Sequence, residues 1–212
     1  MNPYSYSGDV SHFNLHLKKT TPRWLHYAVD FRSAYPARYV KNSIVRGEYF
    51  QPQGAGHAPL AILLHGMGDR SVIPCQLLAR TLVKRGIACF ILYLVFHSSR
   101  MPEDIKNRLP ALTLDEWFES YQISVIDVRQ VIDWASGRAE IDQGQVAVVG
   151  ISFGGFISAI AMGVDKRIRT GVLITSGGNL GKVARLSKTF GRRMGYKGTE
   201  EEYQNTQRRY KR

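Results

Sequence analysis

Ser152 sits between two glycines in the run Gly150-Ile151-Ser152-Phe153-Gly154-Gly155, which follows the apolar stretch Val146-Ala147-Val148-Val149 directly. Where a strand reverses sharply into a helix, a serine at the turn stands exposed, provided that the residues two before and two after carry no side chain to collide with neighbouring backbone. Gly150 and Gly154 hold those two positions. The chemistry open to such a serine is attack on an ester, thioester or amide carbonyl to give an acyl-enzyme. That step needs hydrogen-bond donors for the oxygen that becomes negative, and a base for the serine proton. The Phe153 amide, at the start of the following helix, is the first expected donor. The second is expected from His65-Gly66-Met67-Gly68-Asp69, whose glycines allow close backbone approach: Met67 N–H first, Gly68 N–H next.

The base is harder to find. All six histidines, at positions 12, 16, 26, 57, 65 and 97, precede Ser152. His97 follows an apolar run that reads as a parallel strand, so it reaches the sheet edge that carries Ser152, and Asp69 is placed to orient it. His97 with Asp69 is therefore the candidate substitute base and acid, against a structural role for His97. His12, His16 and His26 lack metal-ligand spacing to a carboxylate cluster, so neither a metal nor another cofactor is expected. Arg100, at the end of the same run, is either a binder of substrate carboxylate or phosphate or, in preference, exposed to solvent or held in a fold-stabilising ion pair. Asp127 and Arg129 are read as structural.

Positioning these residues requires a particular order of elements. Residues 1–26 lack a sustained period and are expected to be irregular or a short helical flap. Residues 27–35 and 44–50 read as strands separated by Pro36 and Asn42-Ser43. Residues 60–64 are continuously apolar, as in a strand buried on both faces. A helix over 73–84 ends at Gly86, and a strand is expected over 87–96. Thr113 with Glu116 three residues on forms a capping box for a long helix whose apolar stripe runs from Phe118 to Ala135. Residues 146–149 then lead into the Ser152 turn, 154–162 form the helix leaving it, and 171–175 make another buried strand. Strands alternating with helices predict an α/β three-layer sandwich with a mostly parallel sheet.

Composition sets outer limits. The chain has 212 residues, 44% of them hydrophobic, which suits one packed core. Its two cysteines show no metal-ligand spacing, the first residues lack the features of an export signal, and no run approaches a membrane span, so a cytoplasmic location is expected. The net charge of +12 raises the question of nucleic acid or anionic lipid. Much of the excess lies in residues 180–212, a basic tail interrupted by Gly191, Gly195 and Gly198. No zinc pattern or RNA-binding aromatic signature accompanies it, and nucleic acid is not the expected partner.

Three segments together resemble the α/β-hydrolase superfamily, in particular its dienelactone hydrolase and prolyl-oligopeptidase-like esterase branches. They are Ile62-Leu63-Leu64-His65-Gly66-Met67-Gly68-Asp69, Asp127 to Trp134, and Val148-Val149-Gly150-Ile151-Ser152-Phe153-Gly154-Gly155. The resemblance implies Ser152 as nucleophile, Phe153 and Met67 as oxyanion amides, and His65 as a loop residue with no role as base. It also implies an acid and then a histidine after the serine. Here Asp165 is the only later aspartate, and no histidine follows.

The expectation is therefore an incomplete α/β-hydrolase fold: residues 27–179 as core, 180–212 as a cap-like helical or disordered tail, and the chain truncated before its acid and histidine. The partners expected are a small-molecule ester or acyl substrate and either a second copy or a completing chain. Two functions stand: a serine hydrolase-like protein, inactive if nothing completes it, and a noncatalytic interaction or polyanion-binding protein using the basic tail.

Overall fold

The computed structural model describes residues 2–7, 12–54, 56–67, 72–107 and 112–177, together with positions 201 and 205. The strands are β1 (Asn14–Thr20), β2 (Trp24–Arg32), β3 (Ile44–Pro52), β4 (Ala58–Leu64), β5 (Ala88–Leu92), β6 (Ile141–Ile151) and β7 (Ile168–Ile174). The helices are α1 (Val40–Ser43), α2 (Ile73–Val83), α3 (Glu103–Lys106), α4 (Leu114–Ser136) and α5 (Phe153–Val164), with a 3-10 turn at Ser98–Arg100.

All seven strands form one sheet in the order β1-β2-β3-β5-β4-β6-β7. β5, β4, β6 and β7 run parallel, while β1, β2 and β3 meander antiparallel at one side, β3 pairing antiparallel with β5. Half of the sheet is thus parallel, and that half carries the Ser152 turn. Parallel neighbours end on the same side, so the loops after β4, β5, β6 and β7 gather at one edge, where ligands bind in open α/β sheets.

Alternation along β4 explains the layers. Leu60, Ile62 and Leu64 face a core shared with Val128, Ile132, Phe153 and Ile157 from α4 and α5. Ala61 and Leu63 face the other way, onto Cys75, Ala79 and Val83 of α2. A strand with helices on both faces has no polar face to show, hence its unbroken apolar run. The long helix starts where its capping box places it: Thr113 accepts from Glu116 N–H, and the Glu116 carboxylate accepts from Thr113 N–H at 2.9 Å.

Three expectations are corrected. The strand expected to be buried over 171–175 is β7, whose Val172, Leu173 and Ile174 are exposed. Residues 14–20 and 24–26, expected to be irregular, are strand. β1 is mostly exposed, so its charged and polar residues hide the period-two signal that a half-buried strand displays, and pairing with β2 supplies its order. The strand expected over 87–96 stops at Leu92, because the chain leaves the sheet at Tyr93 and passes through a positive φ of 58° at Phe96. The tail from 180 lies outside the described residues, apart from 201 and 205.

Candidate active site

Ser152 is the residue between β6 and α5, with φ 51° and ψ −111°. An L-residue in that region is strained by roughly 1–3 kcal/mol and persists only where its surroundings over-determine it. Here the surroundings are backbone. Ser152 N–H donates to Ile174 O of β7 at 2.8 Å, and Ser152 O accepts from Gly155 N–H at 2.9 Å. A Cβ at Gly150 would overlap the Gly154 carbonyl and the Ser158 hydroxyl, and a Cβ at Gly154 would overlap the Leu64 carbonyl and come within 2.7 Å of His65 O. Both glycines are fixed by collisions with backbone, which no rotamer change relieves.

Among the described residues, the helix start offers a single open donor. Gly154 N–H is taken by His65 O at 3.1 Å, and Gly155 and Phe156 N–H bond Ser152 O. Among the described residues, the Phe153 amide has no acceptor, and it heads a twelve-residue helix whose dipole favours negative charge there. Met67 N–H likewise has none among the described residues. The loop carrying it lies against the serine, since a Cβ at Gly66 would stand 3.5 Å from Ser152 Cβ. Gly68 and Asp69 lie outside the described residues.

His65 is buried and engaged on both sides of its ring. Nδ1 lies 2.7 Å from Gly66 O, and Nε2 accepts from Leu94 N–H at 3.1 Å. A carbonyl only accepts, so Nδ1 carries the proton and the ring is neutral. Burial holds its pKa down to about 4. His65 therefore ties two loops together and has no free nitrogen to serve as a base.

His97 does reach the same edge. Its ring stacks on Phe153 at 5.8 Å and meets His65 edge-on at 4.9 Å. Nδ1 is 2.6 Å from Val95 O, leaving Nε2 buried and unpartnered among the described residues. Burial and the neighbouring His65 press its pKa down to about 3. A ring so reluctant to accept a proton is a weak base for a serine.

The remaining polar residues are structural. Arg100 is fully buried and pairs with the fully buried Asp127 at 2.8 Å, which rules out substrate binding by its guanidinium in this state. Burial pushes the Asp127 carboxyl upward, opposed by Arg100 and by the Ser33 hydroxyl. Arg129 bonds Asp165 at 3.2 Å, and Arg167 bonds it as well. Asp165 caps the far end of α5, a helix length of about 18 Å from Ser152 at ~1.5 Å per residue, too far to orient a base beside the serine.

Two features of this edge escape sequence reasoning. Phe96, Ser152 and Thr175 are the non-glycine residues of positive φ among those described, and they follow β5, β6 and β7 respectively. Strain thus gathers at the ends of three parallel strands. Neither Phe96 nor Thr175 carries a sequence signal for it, since aromatic and β-branched residues are disfavoured there.

A family model matches residues 31–176 under the description "Alpha/beta hydrolase domain containing 18". The chain belongs to this α/β-hydrolase family. Its sheet is similar to that of an acetyl xylan esterase from Paenibacillus sp. R4, at 19% identity over 94% of this chain and 62% of that one, with a TM-score of 0.62. Acetyl xylan esterase 1 from Thermoanaerobacterium sp. JW/SL YS485 is similar at 16% identity over 88% of this chain and 60% of that one, with a TM-score of 0.61. A cold-adapted esterase from an Arctic intertidal metagenomic library is similar at 17% identity over 88% and 73%, with a TM-score of 0.57. At these identities the likeness is one of fold, and this α/β-hydrolase chain spans less than two thirds of the length of either acetyl xylan esterase. No curated protein matches the sequence.

Proposed function

We propose that the chain bears the nucleophile and oxyanion donors of a serine hydrolase acting on a small ester or related acyl substrate. The observation that carries this is the strained backbone of Ser152, held by glycine collisions and by Ile174 O immediately before an open helix-terminal amide. Ser152 Oγ attacks the acyl carbonyl, the oxygen gathers charge against the Phe153 and Met67 amides, the alkoxide leaves with a proton, and water later releases the acid. Membership of an α/β-hydrolase family supports the class of reaction. The esterase titles of the structural neighbours support the choice of ester.

The serine proton needs an acceptor better than His97, and among the described residues no histidine is hydrogen-bonded to Ser152. A completing polypeptide that supplies histidine and acid is the partner this function calls for. The two free, buried thiols fit a reducing compartment such as the cytoplasm. Among the described residues, no helix is long and apolar enough to cross a membrane. The basic tail, the segment of the alternative polyanion-binding role, lies outside the described residues apart from 201 and 205.

The test is turnover of a short activated ester by the chain beside its Ser152→Ala variant. Serine-dependent release supports the assignment. Equal rates that stay at background when a histidine-bearing completing chain is added would remove it.

A further inference from the structure

The segment that bonds the His65 ring is itself held by a buried cation, Arg100. Arg100 Nη1 donates to Tyr93 O at 2.9 Å and to Asp127 Oδ2 at 2.8 Å, while Nη2 donates to Asn42 O at 2.8 Å. Ser33 Oγ donates to the other oxygen of Asp127 at 2.6 Å. One guanidinium thus joins the turn after β2, α1, the chain leaving β5 and the middle of α4. Its planar fork spreads donors to three acceptors at fixed angles, which a lysine ammonium on its flexible stem does not reproduce.

The residue after Tyr93 makes the next link. Leu94 N–H donates to His65 Nε2, and His65 Nδ1 donates to Gly66 O, the carbonyl joined directly to Met67 N. His65 O in turn accepts from Gly154 N–H, in the first turn of the helix that Ser152 begins. Fixing Tyr93 O therefore fixes Leu94 N–H, the His65 ring, and the Gly66–Met67 peptide plane.

Taking Ser152 as nucleophile and Met67 N–H as oxyanion donor, we propose that Arg100 is a positioning residue whose hydrogen bonds, relayed through Leu94 and His65, set the Met67 amide. Arg100 contacts no reacting atom. The buried ion pair of Arg100, one of the alternatives that its sequence position left open, thus acquires a specific consequence at the site. A misplaced peptide plane weakens stabilisation of the transition state more than it weakens binding of the ground-state ester, because charge appears on the oxygen only during attack.

The experiment compares the full chain with Arg100→Lys and with the double variant Arg100→Met, Asp127→Asn. The double change leaves no buried charge alone and keeps an acceptor for Ser33, and Arg100→Lys keeps the pair with Asp127 while losing the fork. Three readouts are taken: exchange of the Leu94 amide, the ring-nitrogen spectrum of His65, and single-turnover acylation of Ser152 by 4-nitrophenyl acetate. In both variants Leu94 exchange is expected to accelerate about tenfold or more, as for loss of one well-made hydrogen bond. His65 Nε2 is expected to lose its bonded signature, and the acylation rate constant to fall about tenfold with half-saturation unchanged. Variants that fold while Leu94 protection and the His65 spectrum stay as in the parent overturn the proposal. So does a restored tie with slowed acylation, or a broken tie with unchanged acylation. If the parent is not acylated even with a histidine-bearing completing chain added, the nucleophile assignment fails, and the Leu94 and His65 readouts still decide whether Arg100 sets the loop.

Discussion

At Gly154, one hydrogen atom stands where a methyl group would overlap the Leu64 carbonyl, and the site depends on that absence. Gly154→Ala is expected to destabilise the fold by about 3 kcal/mol, the upper range for forcing a side chain into packed backbone, as read from urea unfolding. Gly163→Ala, in the same helix, makes a control, since a Cβ there meets nothing within 4 Å. It should be neutral or slightly stabilising through helix propensity. The two buried histidines carry the pH dependence. His65 and His97 stay neutral in the folded chain down to about 4 and about 3, whereas unfolded histidine titrates near about 6.5. Below that value the unfolded chain binds protons that the folded one refuses, so stability is complete above about pH 6.5 and falls on acidification towards pH 4. The loss is on the order of 3 kcal/mol per ring, and His97→Leu should flatten the decline of the urea midpoint.

At the scale of elements, α4 is the longest helix and its start is set by a few polar atoms. Glu116 closes the capping box and also accepts from Tyr39 OH at 2.9 Å, so one carboxylate serves the helix end and the segment before α1. Thr113→Ala is expected to lower stability by about 1 kcal/mol. Glu116→Ala should cost more, because it removes the acceptor of the Thr113 amide together with the bond from the half-buried Tyr39 hydroxyl, and comparing the two melting temperatures tests the difference. The capping box and the stripe from Phe118 to Ala135 were legible in the sequence because both are local, resting on spacings of three and four residues. β1 was not, because an exposed edge strand owes its order to its neighbour. The early end of β5 was equally hidden: Tyr93 to Phe96 are as apolar as a strand, and it is the His65 and Arg100 bonds to this segment that draw it away from the sheet.

For the molecule as a whole, the sheet is unequally finished at its two sides. β7 is the outer strand beside β6, and its consecutive residues Val172, Leu173 and Ile174 are 46%, 45% and 40% exposed. Consecutive apolar residues point to both faces, so among the described residues this edge offers unpaired backbone together with apolar surface, the combination that drives edge-to-edge association. Self-association is expected to increase with concentration in sedimentation, and Leu173→Lys should reduce it. A monodisperse monomer at high concentration would argue against this. The edge also bears on the site, because Ile174 O holds the amide of Ser152.

Gly150, Ser152, Gly154, the apolar strands and the capping box marked the α/β class and the strand-to-helix turn at Ser152 from sequence alone, because each expresses a local steric or periodic rule. The site's remaining character was decided only by tertiary structure. Which histidine is tied through both ring nitrogens and which through one depends on Leu94, Gly66 and Val95 meeting those rings. The fate of Arg100 depends on Asp127, distant in sequence and brought beside it by the packing of α4 on the sheet. Burial and partnership are properties of the assembled layers, and no spacing along the chain encodes them.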